Sequence, residues 1–235
     1  MSSKEKFIVL DVEGMQTCRP YNIGYIIADR DGKIYKKHSF IFPVAFWENI
    51  QNCLSIGQAI EMTHTNIQEM LNDMNKPKRK RKYKSMTIQQ FYKQFSREIK
   101  HYKVKRLFAY NVNFDKGALN RLFGDKLFKS LNLEYCDIIS GILTTKLLTK
   151  KYVKFCFTNG YVTLKGYPSY KAEYVYRYLT NNLTFVEEHT GLSDVLIEYF
   201  ILLTAFKCHK PLNFTPIQAW RKLKEFVELH NLSAV

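Results

Sequence analysis

Four apolar residues that run straight into two carboxylates, Phe7-Ile-Val-Leu-Asp11-Val-Glu13-Gly14, constrain this chain more than any other stretch. A short continuous apolar run reads as a buried strand. Strand side chains two apart share a face, so Asp11 and Glu13 leave the strand end together while Val12 turns back into the core. Carboxylates held that close repel each other when both are ionised. A divalent cation relieves the repulsion, and hard cations such as Mg2+ take oxygen ligands. A solvated strand end would carry the same residues. The pair alone therefore marks a candidate metal site and nothing finer.

The next segments read as a continuing sheet. Tyr21–Ala28 is a second strand candidate, Asp29-Arg-Asp-Gly32 carries an Asp-Gly turn, and Lys33–Phe42 alternates as a returning strand. Pro43 ends this antiparallel meander. Short helices are expected over Ala45–Asn52 and Asn66–Asn75. A clearer one spans Thr87–Tyr102, with Ile88, Phe91, Tyr92, Phe95, Ile99 and Tyr102 on one stripe and Thr87 or Ser85 as cap. Leu107–Tyr110 reads as a buried strand leading to a helix through Ala118 and Phe123. Leu133–Cys136 reads as a short strand, and Ile138–Leu148 as a helix. Strand–helix alternation after a meander predicts a mixed sheet flanked by helices, an α/β fold. Residues 150–182 are Tyr-rich and harder to read; Ser169–Leu179 is expected to be helical, with Tyr170, Tyr174, Tyr176 and Tyr178 packing rather than stacking on bases. A long buried helix runs through Leu192, Val195, Leu196, Tyr199, Phe200 and Leu203. Thr215-Pro216 is expected to cap and open a C-terminal helix with Ile217, Trp220 and Val227 facing inward.

Charge narrows the class of partner. The 235 residues carry a net charge of +15, which favours a polyanion, nucleic acid before an anionic membrane. The longest apolar stretch, near Tyr199–Phe206, is far short of the roughly 20 residues a membrane span needs. The N-terminus has no signal-peptide pattern, so a cytoplasmic setting is expected. Five scattered cysteines without C-x-x-C spacing (Cys18, Cys53, Cys136, Cys156, Cys208) read as reduced thiols, and Cys208-His209 as a chance neighbour pair. Lys76-Pro-Lys-Arg-Lys-Arg-Lys-Tyr-Lys84 concentrates seven positive charges in nine residues, which predicts a loop. It is either a solvated surface loop or a phosphate-contacting arm. With no linker-like stretch, one domain over residues 1–235 is the economical reading, with a basic loop at 76–84 and a C-terminal helical extension from about 211 to 235.

Two further motifs join the opening pair. Ala109-Tyr-Asn-Val-Asn-Phe-Asp115 places an aspartate at a helix start after a strand, where it could serve only to stabilise the helix dipole. Glu188-His189-Thr-Gly-Leu-Ser-Asp194 precedes the long apolar helix, so His189 and Asp194 can face one cavity. Asp-x-Glu on a strand, Asn-x-x-Phe-Asp after a later strand and His-x-x-x-x-Asp on a late helix, in that order over residues 7 to about 203, resemble the DEDDh 3′→5′ exonucleases. That is the family of ribonuclease T and of the proofreading epsilon subunit. The run from Tyr176 to Asp194 looks most like phage-borne members.

The resemblance implies a ribonuclease H-like mixed sheet. It implies Asp11, Glu13, Asp115 and Asp194 as ligands of two Mg2+ or Mn2+ ions, and His189 as general base. The expected reaction is hydrolysis of phosphodiester bonds at 3′ ends of single-stranded DNA or RNA, releasing nucleoside monophosphates, in a bacterial or phage-infected cytoplasm. Glu187, Glu188 and Glu198 are left as surface or supporting groups. Gly14 and Met15 stand where many relatives carry Thr-Thr against the terminal nucleotide. His64, in a faint match to a base-lining segment, and Asn111 are further substrate-binding candidates, as are Lys78, Arg79 and Arg81 of the basic loop. No polymerase motif accompanies these residues, which leaves a polymerase partner in trans or a homodimer open. The competing reading is a non-catalytic nucleic-acid-binding protein that kept the fold.

Overall fold

The computed structural model describes residues 4–14, 19–55, 64–124, 130–208 and 211–232. Strand β1 (Phe7–Glu13) pairs antiparallel with β2 (Asn22–Ala28), and β2 antiparallel with β3 (Ile34–Ile41). The β2–β3 turn is closed by Asp29 Oδ1, which accepts the N–H groups of Asp31 at 3.0 Å and Lys33 at 3.1 Å. Gly32 supplies the positive φ of 93° that the turn requires. On the other side of β1, β5 (Arg106–Ala109) runs parallel to it, and β6 (Glu134–Asp137) runs parallel to β5. A two-residue strand β4 (Lys84–Ser85) runs parallel to β3, giving the order β4-β3-β2-β1-β5-β6. This is the mixed α/β sheet that the strand–helix order predicts, in the ribonuclease H-like form that the family resemblance implies.

The alternation along β1 divides the core. Ile8, Leu10 and Val12 face one hydrophobic cluster, beneath α1 (Pro43–Ser55), α2 (His64–Asn75), α3 (Ile88–Tyr102) and α4 (Val112–Phe123). Phe46, Met70, Phe91, Phe95 and Leu119 fill that side. Helix α3 starts where expected: Thr87 and Gln90 form a reciprocal capping box. Phe7 and Val9 face the second cluster, beneath α5 (Ile138–Ile142), α6 (Lys150–Thr158), α7 (Ala172–Thr180), α8 (Gly191–Phe206) and α9 (Ala219–Leu229). Asp11 and Glu13 share the parity of Phe7 and Val9, so they emerge on the side of α8.

Several expectations are corrected. The helix expected over Ile138–Leu148 is α5 followed by a π-helical turn at Leu143–Leu147. Helix α6, unread in the Tyr-rich region, is capped by Thr149 and buries Tyr152, Val153 and Cys156. The C-terminal helix does not open at Thr215-Pro216. The backbone N–H of Asp137 binds the Phe214 carbonyl at 2.7 Å and that of Ile217 binds Ser140 Oγ at 3.1 Å, tying this stretch as extended chain to the end of β6. Helix α9 then starts at Ala219 and buries Ala219, Leu223 and Val227. Ile217 and Trp220, expected inward, are 41% and 50% exposed. The tyrosines of α7 pack: Tyr174 stacks on Tyr161 at 4.4 Å, Tyr176 meets Phe185 and Phe200, and Tyr178 meets Tyr152 and Phe155. Cys136, Cys156 and Cys208 are free thiols, while Cys18 and His209 lie outside the described residues. Among the described residues no helix is long and apolar enough to cross a membrane.

Candidate active site

The site lies at the carboxyl ends of β1, β5 and β6, where α8 crosses the sheet. Backbone contact sets that crossing. A Cβ on Gly24 would fall 2.1 Å from the Gly191 carbonyl group, and one on Gly191 would fall 2.5 Å from the Gly24 nitrogen. No side chain fits between strand and helix there. Asn22, fully buried, locks the approach by accepting the Gly191 N–H at 2.8 Å and donating to the Phe40 carbonyl at 2.7 Å. The first turn of α8 is thereby pressed against β1, and Asp194 meets Asp11 and Glu13. One carboxylate oxygen from each of these three residues lies within 4.8 Å of the others.

Asp115 is held next to this trio but is not part of it. It sits in the first turn of α4, buried, and its Oδ1 accepts the Val12 N–H at 3.1 Å. His189 adopts a left-handed backbone (φ 50°) on the approach to α8. Its Nδ1 is 3.9 Å from Glu187 Oε2, and half of its side chain is solvent-exposed.

Charge is unbalanced throughout. Burial first, then the charges of Glu13, Glu198, Asp115 and Asp194, hold Asp11 well above the usual carboxylate range. Burial raises Glu13 against the opposing pull of its hydrogen bond to Asp194 and the nearby His189. Asp194 is pushed up to about 10 by burial, then by Glu187 and Glu13. Asp115 is pushed up to about 8 chiefly by burial, despite the Val12 N–H it accepts. Asp11 Oδ2 and Glu198 Oε2 are buried and have no hydrogen-bond partner among the described residues. Three converging carboxylates, one of them with an orphaned oxygen, match the all-oxygen donor set that a hard divalent cation takes. Asp11, Glu13 and Asp194 fit such an ion.

Two acids set aside as surface or supporting groups belong to this environment. Glu198 is buried one turn beyond Asp194 on α8, and a backbone hydrogen bond from Tyr110 reaches it. The spacing Asp194 to Glu198 was the available signal, since residues four apart share a helix face. Glu187 is mostly buried, and its carboxyl is raised by burial and by Glu173 and Glu13. Glu188 alone is a surface group.

The remaining candidates divide. Asn111 caps α4 with a positive φ of 113° and no side-chain capping bond. Gly14 ends β1, packed so that a Cβ would meet Pro20 at 2.8 Å. Met15 and the side chains of His64 and Lys78 lie outside the described residues. The basic segment is more ordered than a loop: a 3-10 turn at Lys78–Lys80 leads into β4. Asp73 accepts the backbone N–H groups of both Lys82 and Tyr83 at 2.9 Å. Arg81 donates to the Lys76 carbonyl, and Arg79 is exposed. The segment is remote from the carboxylates in sequence, yet Lys82 Nζ lies 3.5 Å from Glu188 Oε2, next to His189.

No protein-family model matches the sequence, and no curated protein sequence matches it. Among solved structures the chain is similar to E. coli exonuclease I in complex with a dA16 oligonucleotide, at 13% identity and a TM-score of 0.51, over 96% of this chain and 43% of that one. A second structure of exonuclease I, with a dT13 oligonucleotide, gives 13% identity and a TM-score of 0.50, over 96% and 44%. The chain thus spans less than half the length of the proteins it resembles, and what it shares with them is the fold.

Proposed function

We propose that this protein is a metal-dependent nuclease that hydrolyses single-stranded DNA or RNA from the 3′ end. The observation that carries the reading is the convergence of Asp11, Glu13 and Asp194 within 4.8 Å at the strand ends of this fold. The single-stranded oligonucleotides held by exonuclease I and the +15 charge of this chain support the substrate class.

Asp11, Glu13 and Asp194 would hold the divalent ions, Mg2+ or Mn2+, with Asp115 completing the set from α4. When bound, two such ions would activate a water as nucleophile and offset charge on the leaving oxygen of an in-line displacement. Asp115 also fixes the strand end, because its Oδ1 holds the Val12 N–H between the two ligands of β1. His189 would accept the proton of the attacking water at an imidazole nitrogen, the general-base role that this side-chain type can fill. The Glu187 carboxylate beside Nδ1 favours the imidazolium so formed.

The test is degradation of end-labelled single-stranded DNA and RNA with free and with blocked 3′ ends, in Mg2+ and in excess chelator. Shortening from free 3′ ends only in Mg2+ is expected. Full activity in chelator discards the metal reading. Binding without any cleavage identifies a nucleic-acid-binding protein instead.

A further inference from the structure

Helix α9 turns its apolar stripe of Ala219, Leu223 and Val227 to the core, and that register forces Trp220 outward. The half-exposed indole does not stand over open solvent. It forms one wall of a cleft of about 230 Å³ whose other sides include Asn111, Asn113, Tyr170, Ile217 and Gln218. The Arg221 guanidinium lies 5.6 Å from the Trp220 ring centroid.

The cleft adjoins the carboxylate site. Asn111 is the last residue before α4, whose first turn carries Asp115. Asp137 lies on the cleft wall, and its Oδ1 accepts the Val112 N–H at 3.2 Å in the same first turn of α4 that carries Asp115. Asn111 holds a left-handed conformation (φ 113°) that few residues other than glycine, asparagine and aspartate adopt, and such conformations are common where a site needs a side chain in one place.

We propose that this cleft is a base-binding subsite, in which a nucleobase of a single-stranded polynucleotide, upstream of its 3′-terminal residue, stacks on Trp220. The inference rests on the nuclease reading for its ligand. The chemistry is specific to a base: a flat aromatic wall offers stacking to any base, and the amides of Asn111, Asn113 and Gln218 offer donors and acceptors to a base edge. The Arg221 charge and the +15 of the chain suit the phosphates on either side. The subsite recognises a base face, so DNA and RNA share its chemistry.

The sequence has two tryptophans, so a Trp47→Phe background leaves Trp220 as the sole indole. That protein, in chelator, is titrated with 5′-labelled oligo-dT and oligo-U, binding being followed independently by label anisotropy. Saturable quenching of Trp220 that tracks binding is expected, with none from dTMP. Trp220→Ala should weaken oligonucleotide binding by about 5- to 150-fold, and Trp220→Phe by much less. Quenching by only one oligonucleotide upholds the subsite and shows that the 2′-hydroxyl or the thymine methyl group also bears on binding. Bound oligonucleotide without quenching, or unchanged affinity in Trp220→Ala, overturns it. Cleavage in Mg2+ is scored separately on the same oligonucleotides. Cleavage without quenching removes the subsite and leaves the nuclease standing; quenching without cleavage removes the nuclease and keeps the base cleft.

Discussion

Glu98 and Glu198 are both buried under helices on the same sheet, on opposite faces of it. On the α3 side, Glu98 accepts from His38 at 3.1 Å, Gln94 at 3.1 Å and Tyr25 Oη at 2.9 Å. Burial pushes its carboxyl up, but these partners outweigh burial and the carboxyl sits below its ordinary range. On the α8 side, Glu198 has one orphaned oxygen among the described residues, and burial with repulsion from Asp115, Asp194 and Glu187 raises it well above, despite a backbone hydrogen bond from Tyr110. Two acids taken out of solvent therefore fare in opposite ways according to their partners and the depth of their burial. One face neutralises its acid within the protein, while the other leaves a charge deficit that only protons or a cation can fill. That deficit is what separates a supporting buried acid from a candidate site.

The comparison can be tested at its strongest point first. His189→Ala should keep the fold and the cation response while single-turnover cleavage falls by about 10²–10⁴-fold, the usual scale of a general base. An unchanged rate would remove His189 from the reaction.

Next in size is the response to cation and pH. Unfolded carboxyls release protons near pH 4, whereas Asp115 and Asp194 keep theirs to about 8 and about 10. Between those limits the native state binds more protons, so without cation the cluster's contribution to stability falls as pH rises. Divalent cation at a hundred times its Kd should add about 2.7 kcal/mol. Thermal melts should show this stabilisation at pH 8 and much less at pH 5, where protons compete. Asp11→Asn should raise the cation-free Tm at pH 8 and cancel the cation effect. A cation shift independent of pH would contradict the charge deficit.

On the opposite face, Glu98→Ala strands the Tyr25 hydroxyl and should cost about 1–3 kcal/mol in denaturant unfolding, with the cation response intact. Glu98 carries the reverse pH sign: its stabilisation is present above the unfolded pKa and is lost as pH falls through its lowered native value.

The smallest effect is expected from the basic segment. Replacing Arg79, Lys80 and Arg81 with Ser or Gln should reduce the log–log salt slope of single-strand binding by about 2. An equal slope would make the segment a solvated surface. Lys82 is kept, because its pairs with Glu69 and Glu188 anchor the segment beside His189.

What could be read in the sequence is what depends on neighbours along the chain. Two-residue periodicity alone puts Asp11 and Glu13 on one face of β1 and Val12 on the other, as found. The Asp-Gly turn, the Thr87 cap and the long apolar run of α8 are likewise local chemistry. Misreadings came where a distant partner overrode a local signal. Thr215-Pro216 is a good helix start, but Ser140 takes the Ile217 N–H, which moves α9 to Ala219 and turns Trp220 to the surface.

The carboxylate cluster shows the same division. Its members come from β1 and α8, 183 positions apart between Asp11 and Asp194, with Asp115 of α4 beside them, and spacing cannot say whether such residues touch. The sequence by itself determined which acids stand at the ends of apolar elements and which pairs share a face. Only the tertiary structure decided that they meet, through Gly24 against Gly191 and the Asn22 clamp. The same packing buried Glu198 among them and set Lys82 beside Glu188. Local geometry repeats every two or 3.6 residues and can be read along a chain. Desolvation and charge repulsion depend on distance in space, which exists only once α8 has crossed the sheet.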